Sequence, residues 1–195
     1  MKRHVLHPVL RRTPGQDASL PAPVRVENQR RAARSACREC ARLFSLRVRA
    51  LPQDDDGAPL PIKGWHWSLS HTSAWVGGVV FPFPVGLDLE RVQNRRQELV
   101  RATASHEEFE LLGGFRWEHF TRLWSAKEAV LKKARVGLSE LSQCRLVAVP
   151  GPRALVIFHR DRNHHVHQSF ANGHFVSICA ENSDCAQIEW DWEEV

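Results

Sequence analysis

No stretch of this 195-residue chain is apolar for the length that a membrane span requires. The start, Met1-Lys-Arg-His-Val-Leu-His-Pro8, is positively charged, but no apolar core follows it, so a secretory signal is not expected. Five cysteines, Cys37, Cys40, Cys144, Cys179 and Cys185, form an odd set. An odd set without a signal peptide points to reduced thiols in the cytoplasm. Zinc is not expected at Cys37-Arg-Glu-Cys40, because no second pair stands at a suitable distance and zinc takes about four ligands. No internal repeat is visible. A charged fraction of 25% and a hydrophobic fraction of 43% exclude wholesale disorder.

Acidic residues are scarce in the first quarter, where Arg25, Arg30, Arg31, Arg34, Arg38, Arg42, Arg47 and Arg49 supply most of the net charge of +5. Such a balance attracts polyanions: nucleic acid, phosphorylated small molecules or acidic protein surfaces. It does not choose among them.

Prolines 8, 14, 21 and 23 and weak periodicity mark residues 1–24 as an irregular leader. Residues 26–48 lack Gly and Pro and predict a helix. Trp65–Ser70, Ala74–Phe81 and Val85–Glu90 predict strands, with a break at Pro82 and Pro84. Ser105-His-Glu-Glu108 has capping-box spacing and opens a short helix to Leu112. A longer helix is expected from Trp117 to Arg135, with Gly137 as its stop. Strands follow at Cys144–Val149, Ala154–His159, Val166–Phe170, His174–Ala180 and Gln187–Trp190.

Three segments carry chemistry. In Val85-Gly-Leu-Asp-Leu-Glu90, strand alternation turns Val85, Leu87 and Leu89 one way and Gly86, Asp88 and Glu90 the other. Two carboxylates on one face repel each other unless something positive lies between them, and hard oxygen ligands suit Mg²⁺. The plainer reading is a strand end with two solvated acids. In Phe120-Thr-Arg-Leu-Trp-Ser-Ala-Lys-Glu-Ala-Val-Leu-Lys-Lys133, Glu128 interrupts an apolar stripe, and Lys132 lies one turn further on. A surface ion pair is the plainer reading there. A carboxylate near Trp124 and Leu131 is costly unless paired or metal-bound. In Trp67-Ser-Leu-Ser-His-Thr72, a strand ends on hydroxyls and an imidazole that can donate to a phosphate.

Together, in this order, the three segments resemble the 4′-phosphopantetheinyl transferase superfamily, in its larger Sfp-type single-chain form. That family shows Ser-His-Ser/Thr, then Val/Ile-Gly-hydrophobic-Asp-x-Glu, then Trp/Phe-Ser/Thr-x-Lys-Glu-Ala/Ser with a lysine four residues after the glutamate. The resemblance spans roughly residues 57–133. It implies an α+β fold of two pseudo-symmetric halves, each a small, mainly antiparallel sheet packed with a long helix. Residues 1–84 would form the first half and 85–195 the second, which carries the metal motifs. The implied activity is Mg²⁺-dependent transfer of phosphopantetheine from coenzyme A to a serine of an apo acyl or peptidyl carrier protein, releasing 3′,5′-bisphosphoadenosine. By the same resemblance Asp88, Glu90 and Glu128 would hold the metal. Glu128 and Lys132 would be catalytic, although a carboxylate tied to Mg²⁺ is a poor base. Ser70, His71, Lys127, Lys132, Arg30 and Arg31 would bind coenzyme A. The expected partner is an acidic carrier protein, and the expected state a cytoplasmic monomer that binds neither membrane nor nucleic acid. One departure stands out. Family members carry Gly-Lys/Arg-Pro before the Ser-His segment, and here it reads Gly57-Ala58-Pro59. The alternatives are an inactive homologue that binds coenzyme A or a carrier protein, and a basic nucleic-acid-binding module.

Overall fold

The computed structural model describes residues 4–14, 19–180 and 185–193. It is a mixed α+β protein with mainly antiparallel sheets. Two short strands, β1 (His4–Leu6) and β2 (Val9–Arg12), precede helix α1 (Ala22–Leu43). Next come β3 (His66–His71), β4 (Trp75–Phe81) and β5 (Val85–Arg91). Helices α2 (Gln97–Thr103), α3 (His106–Leu111) and α4 (Trp117–Ala134) follow, then a 3-10 helix over Leu138–Gln143. Strands β6 (Arg145–Gly151), β7 (Ala154–His159), β8 (Arg162–Ala171), β9 (His174–Ala180), β10 (Cys185–Ile188) and β11 (Asp191–Trp192) complete the chain.

One sheet has the order β11-β2-β4-β3 and the other β5-β9-β8-β7-β6, while β1 and β10 form a separate parallel pair. The leader is therefore not irregular where it is described. Leu6, Val9 and Leu10 are fully buried, and their burial outweighs the turn signal of Pro8. The last strands do not stay with the second half either. β11 pairs with β2 and β10 with β1, so the segment after Ala180 returns to the first sheet's side.

Helix α1 starts earlier and stops sooner than the 26–48 reading. Pro23 is tolerated in a first turn, whose N–H groups have no helical partner anyway. The stop is made without glycine: Ser45 takes a left-handed φ of 55°, and the Leu46 amide bonds back to Ala41. Likewise Arg135, at φ 59° and ψ 37°, ends α4 before Gly137 is reached. The capping box forms as its spacing predicts, with Ser105 accepting from the Glu108 amide and Glu108 from the Ser105 amide. Helix α2 had no sequence signal strong enough to be read.

Each long helix crosses a strand at a glycine. A Cβ on Gly78 of β4 would lie 2.4 Å from the Cys37 amide nitrogen of α1. A Cβ on Gly86 of β5 would lie 1.9 Å from the Ala129 carbonyl oxygen of α4. Strands β5 and β9 then separate two cores. Val85, Leu87, Leu89, Val176 and Ile178 join the core of α1, β3 and β4. Cys179 faces the other core, with Phe120, Leu123, Val130 and Leu155.

The edge strands β3 and β5 meet where the two sheets adjoin. Side chains bind them in place of a ladder: the Leu87 amide donates to Ser68 Oγ at 2.9 Å, and Ser70 Oγ donates to Asp88 Oδ1 at 3.0 Å. This seam, with α4 lying along β5, positions everything that follows. Cys37, Cys40, Cys144 and Cys179 are all buried. Among the described residues no helix is long and apolar enough to cross a membrane.

Candidate active site at the seam between the sheets

Asp88 sits at the centre. It is 3% exposed, on the face of β5 that looks toward α4. Its Oδ1 accepts from Ser70 Oγ and from Lys132 Nζ at 2.7 Å. Its other oxygen, Oδ2, is buried with no hydrogen-bond partner among the described residues. A carboxylate oxygen withdrawn from water and left unpaired is costly, and it fits a cation. Lys132 also approaches the Leu69 carbonyl at 3.5 Å. Burial alone would lower the Lys132 pKa, but Asp88 and Glu128 outweigh it and hold the ammonium above the ordinary lysine range.

Glu90 lies two residues further along the same strand face. Trp124 Nε1 donates to its Oε1 at 3.0 Å, and Arg95 pairs with its Oε2 at 2.7 Å. The sequence reading missed Arg95, which has no motif, and read Trp124 as apolar packing. Glu128, one turn before Lys132, makes no hydrogen bond or ion pair among the described residues. Both glutamates are pushed up to about 7, by burial first and by the charge of Asp88 second. Lys132 opposes the rise at each, and at Glu90 so do the Trp124 N–H and Arg95. Three acids are thus crowded into one desolvated place with a single lysine among them. Among the described residues, no three His, Cys, Asp or Glu side chains stand close enough to hold a metal by themselves. The donor set nevertheless fits Mg²⁺, which takes one or two carboxylates and fills its remaining positions with phosphate oxygen and water.

The raised carboxyl groups have a signed consequence. A carboxyl whose folded pKa lies above its unfolded value contributes stability below about 4.5, and that contribution is lost as pH rises through about 7. Glu128→Gln is therefore expected to melt higher than the parent at pH 8 in metal-free buffer, by roughly 3–8 °C, which corresponds to about 1–3 kcal/mol. At pH 4.5 the two proteins should melt together. Equal melting at both pH values would show that Glu128 carries no such strain.

His71 ends β3 beside this group. Burial lowers its pKa first, then the charges of Lys132 and Arg30, with Asp88 opposing. Arg30 is exposed on α1, and its charge is felt at His71. Arg31, likewise exposed on α1, makes no hydrogen bond or ion pair among the described residues. Lys127 requires a correction. It points away from the seam, its side chain 2% exposed, pairs with Glu108 at 2.7 Å and donates to the Thr103 carbonyl at 2.6 Å. Glu108 also accepts from the Leu146 amide, so the pair ties α3, α4 and β6 together. A lysine consumed by a buried pair is not a phosphate ligand. Sequence spacing did not separate Lys127 from Lys132, although five residues are about 1.4 turns and set the two side chains about 140° apart around the helix.

A cavity of about 620 Å³ opens beside Lys132, between the Gln53–Pro59 loop, Trp67 and Leu69 of β3, and the end of α4. That volume is in the range of small-molecule sites.

Residues 84–179 match the sequence profile of the 4′-phosphopantetheinyl transferase superfamily, across the strand and helix that carry Asp88, Glu90, Glu128 and Lys132. This region belongs to that superfamily. The 4′-phosphopantetheinyl transferase psf-1 of Bacillus pumilus is 33% identical over 92 residues, which is 44% of this chain and 40% of the relative. A 4′-phosphopantetheinyl transferase of Bacillus subtilis is 30% identical over 78 residues, 38% of this chain and 35% of that protein. The match thus spans less than half the length of either relative.

Proposed function

We propose that this protein is a 4′-phosphopantetheinyl transferase, moving phosphopantetheine from coenzyme A to a serine hydroxyl of an apo acyl or peptidyl carrier protein with Mg²⁺. The observation that carries the reading is the buried, half-unpaired Asp88 with Lys132 on its other oxygen, inside the superfamily-matched region. Asp88, Glu90 and Glu128 would hold the metal. When bound, the metal neutralises pyrophosphate and the charge that develops on the leaving phosphate. Lys132 supplies a fixed ammonium to the same pyrophosphate. Ser70 holds Asp88 in place, and His71 and Arg30 border the phosphate region from the first sheet's side. The serine oxygen attacks the β-phosphorus as the bond to the bridging oxygen breaks, and 3′,5′-bisphosphoadenosine leaves. Glu128, with a carboxyl raised to about 7 and no hydrogen bond among the described residues, is suited to receive the serine proton at neutral pH. That role and metal ligation compete for the same oxygens.

The rest of the reading follows the family. The two sheets, each under one long helix, would be its pseudo-symmetric halves, working as a cytoplasmic monomer. The net charge of +5 would favour an acidic carrier protein over nucleic acid.

Incubation of an apo carrier protein with this protein, coenzyme A and Mg²⁺ is expected to add about 340 Da to the carrier by mass spectrometry, and EDTA should abolish the gain. A gain that persists in EDTA would remove the metal from the reading. No gain across acyl and peptidyl carriers, with coenzyme A still bound, would identify an inactive homologue.

A further inference from the structure

Arg135 is held in an unusual way. It caps α4 in the left-handed region, at φ 59° and ψ 37°, where an L side chain is disfavoured and glycine is the common choice. Strain of this kind is kept where the side chain is needed. Arg135 lines the cavity beside Lys132. Its partner is Asp54, at 2.8 Å from Nη2 to Oδ2. The other oxygen of the same carboxylate accepts from the Ala58 amide at 2.8 Å. One carboxylate therefore bridges the Arg135 guanidinium to residue 58, where the family pattern has lysine or arginine and this chain has alanine.

We propose that Arg135 is a substrate-reading residue that takes the place of the missing cation at position 58 and binds the phosphate on the ribose of coenzyme A. The inference rests on the transferase reading and deepens it. The surroundings permit it. Of the acids around the cavity, Glu140 is already engaged by Arg160 and by His159. Asp54 is the acid paired with the guanidinium, and Asp56 is exposed at the rim. The Arg135–Asp54 pair is itself more than a third exposed on both sides, so it is weak and exchangeable. A phosphate dianion makes a stronger, bidentate partner for a guanidinium than a shared carboxylate does. With pyrophosphate at Lys132, the nucleotide end has this cavity to enter, three residues further along the chain from Lys132.

The test compares coenzyme A with 3′-dephospho-coenzyme A, by calorimetric binding and by steady-state transfer. Arg135→Gly suits it because glycine favours the left-handed backbone and the fold is kept. Expected are a roughly tenfold weaker Kd and higher KM for coenzyme A, an unchanged kcat, and no more than a twofold change for the dephospho compound. Adding Ala58→Lys to Arg135→Gly should restore the preference for coenzyme A. Equal weakening toward both compounds, or no weakening toward either, overturns the proposal. If the parent protein transfers nothing, the transferase reading fails, and the two binding constants still decide the role of Arg135.

Discussion

Asp88→Asn is expected to lower carrier modification by roughly 10²- to 10³-fold, the scale on which one electrostatic group at a site of developing charge is lost. The loss should fall on kcat more than on the KM for coenzyme A, because Lys132 and the cavity beyond it remain. The fold should not suffer. An asparagine oxygen can still accept from Ser70 and Lys132, and the charge that raises Glu90 and Glu128 is gone. The melting midpoint in metal-free buffer is therefore expected to hold or rise at pH 8, and the shift on adding Mg²⁺ to shrink. Steady-state kinetics and thermal melts with and without Mg²⁺ check both halves. A variant with the parent's rate and the parent's Mg²⁺ requirement would remove Asp88 from the site. The general point is that the acidic cluster opposes folding in the absence of a cation, so its removal separates stability from activity.

Gly86→Ala should act the other way, through the fold first. The added Cβ would lie 1.9 Å from the Ala129 carbonyl oxygen and 2.5 Å from the Lys133 amide nitrogen. Both atoms are helix backbone, so no side-chain rotation relieves the contact, and α4 must rise from β5. Overpacking ordinarily costs about 1–3 kcal/mol when side chains can adjust; here the cost should exceed about 4 kcal/mol. That corresponds to a fall in melting midpoint of about 10 °C or more, or to insoluble protein. Any folded remnant should be inactive, because α4 carries Glu128 and Lys132. Gly137→Ala, with nothing within 4 Å of the new Cβ, is the control and should melt within about 2 °C of the parent. A Gly86→Ala protein that melts with the parent would contradict the close crossing of β5 and α4.

The sequence was most informative where local periodicity and burial agree. Ala154–His159 and His174–Ala180 are strands with the bounds their patterns predict, and the capping box at Ser105 sits where its spacing requires. Alternation along Val85–Glu90 correctly put Val85, Leu87 and Leu89 in the core and turned Asp88 the other way, where the fold lays α4. It was least informative where the cause is non-local. Nothing in the composition of residues 4–12 announces strands, because β1 and β2 are made by pairing with β10, β11 and β4. Ser45 and Arg135 end helices in a conformation that glycine normally signals. At the candidate site, Asp88 and Lys132 are brought together by an ion pair. Glu90 and Glu128 join them as acids whose carboxyl groups are raised by burial and by the charge of Asp88. Lys127 was drawn in by its place in a motif. Its exclusion depends on Glu108, nineteen residues earlier, and no reading of spacing supplies that contact. Arg135 and Asp54 went unnoticed for the same reason, since their pairing spans 81 positions of chain.

The pairing of β1 with β10 and of β2 with β11 also has a consequence for biosynthesis. While the chain emerges from the ribosome, β2, α1, β3 and β4 are available long before β11 exists to cover the outer edge of β2. Until β11 has been synthesised and pairs, that edge presents unpaired amides and carbonyls to any other strand nearby. Pairing β10 with β1 and β11 with β2 is then a closure of high sequence separation, and a correspondingly slow search. Aggregation during expression should therefore be governed by this late closure, and a short synthetic peptide carrying residues 185–193, supplied in trans to a chain ending at Ala180, should suppress it.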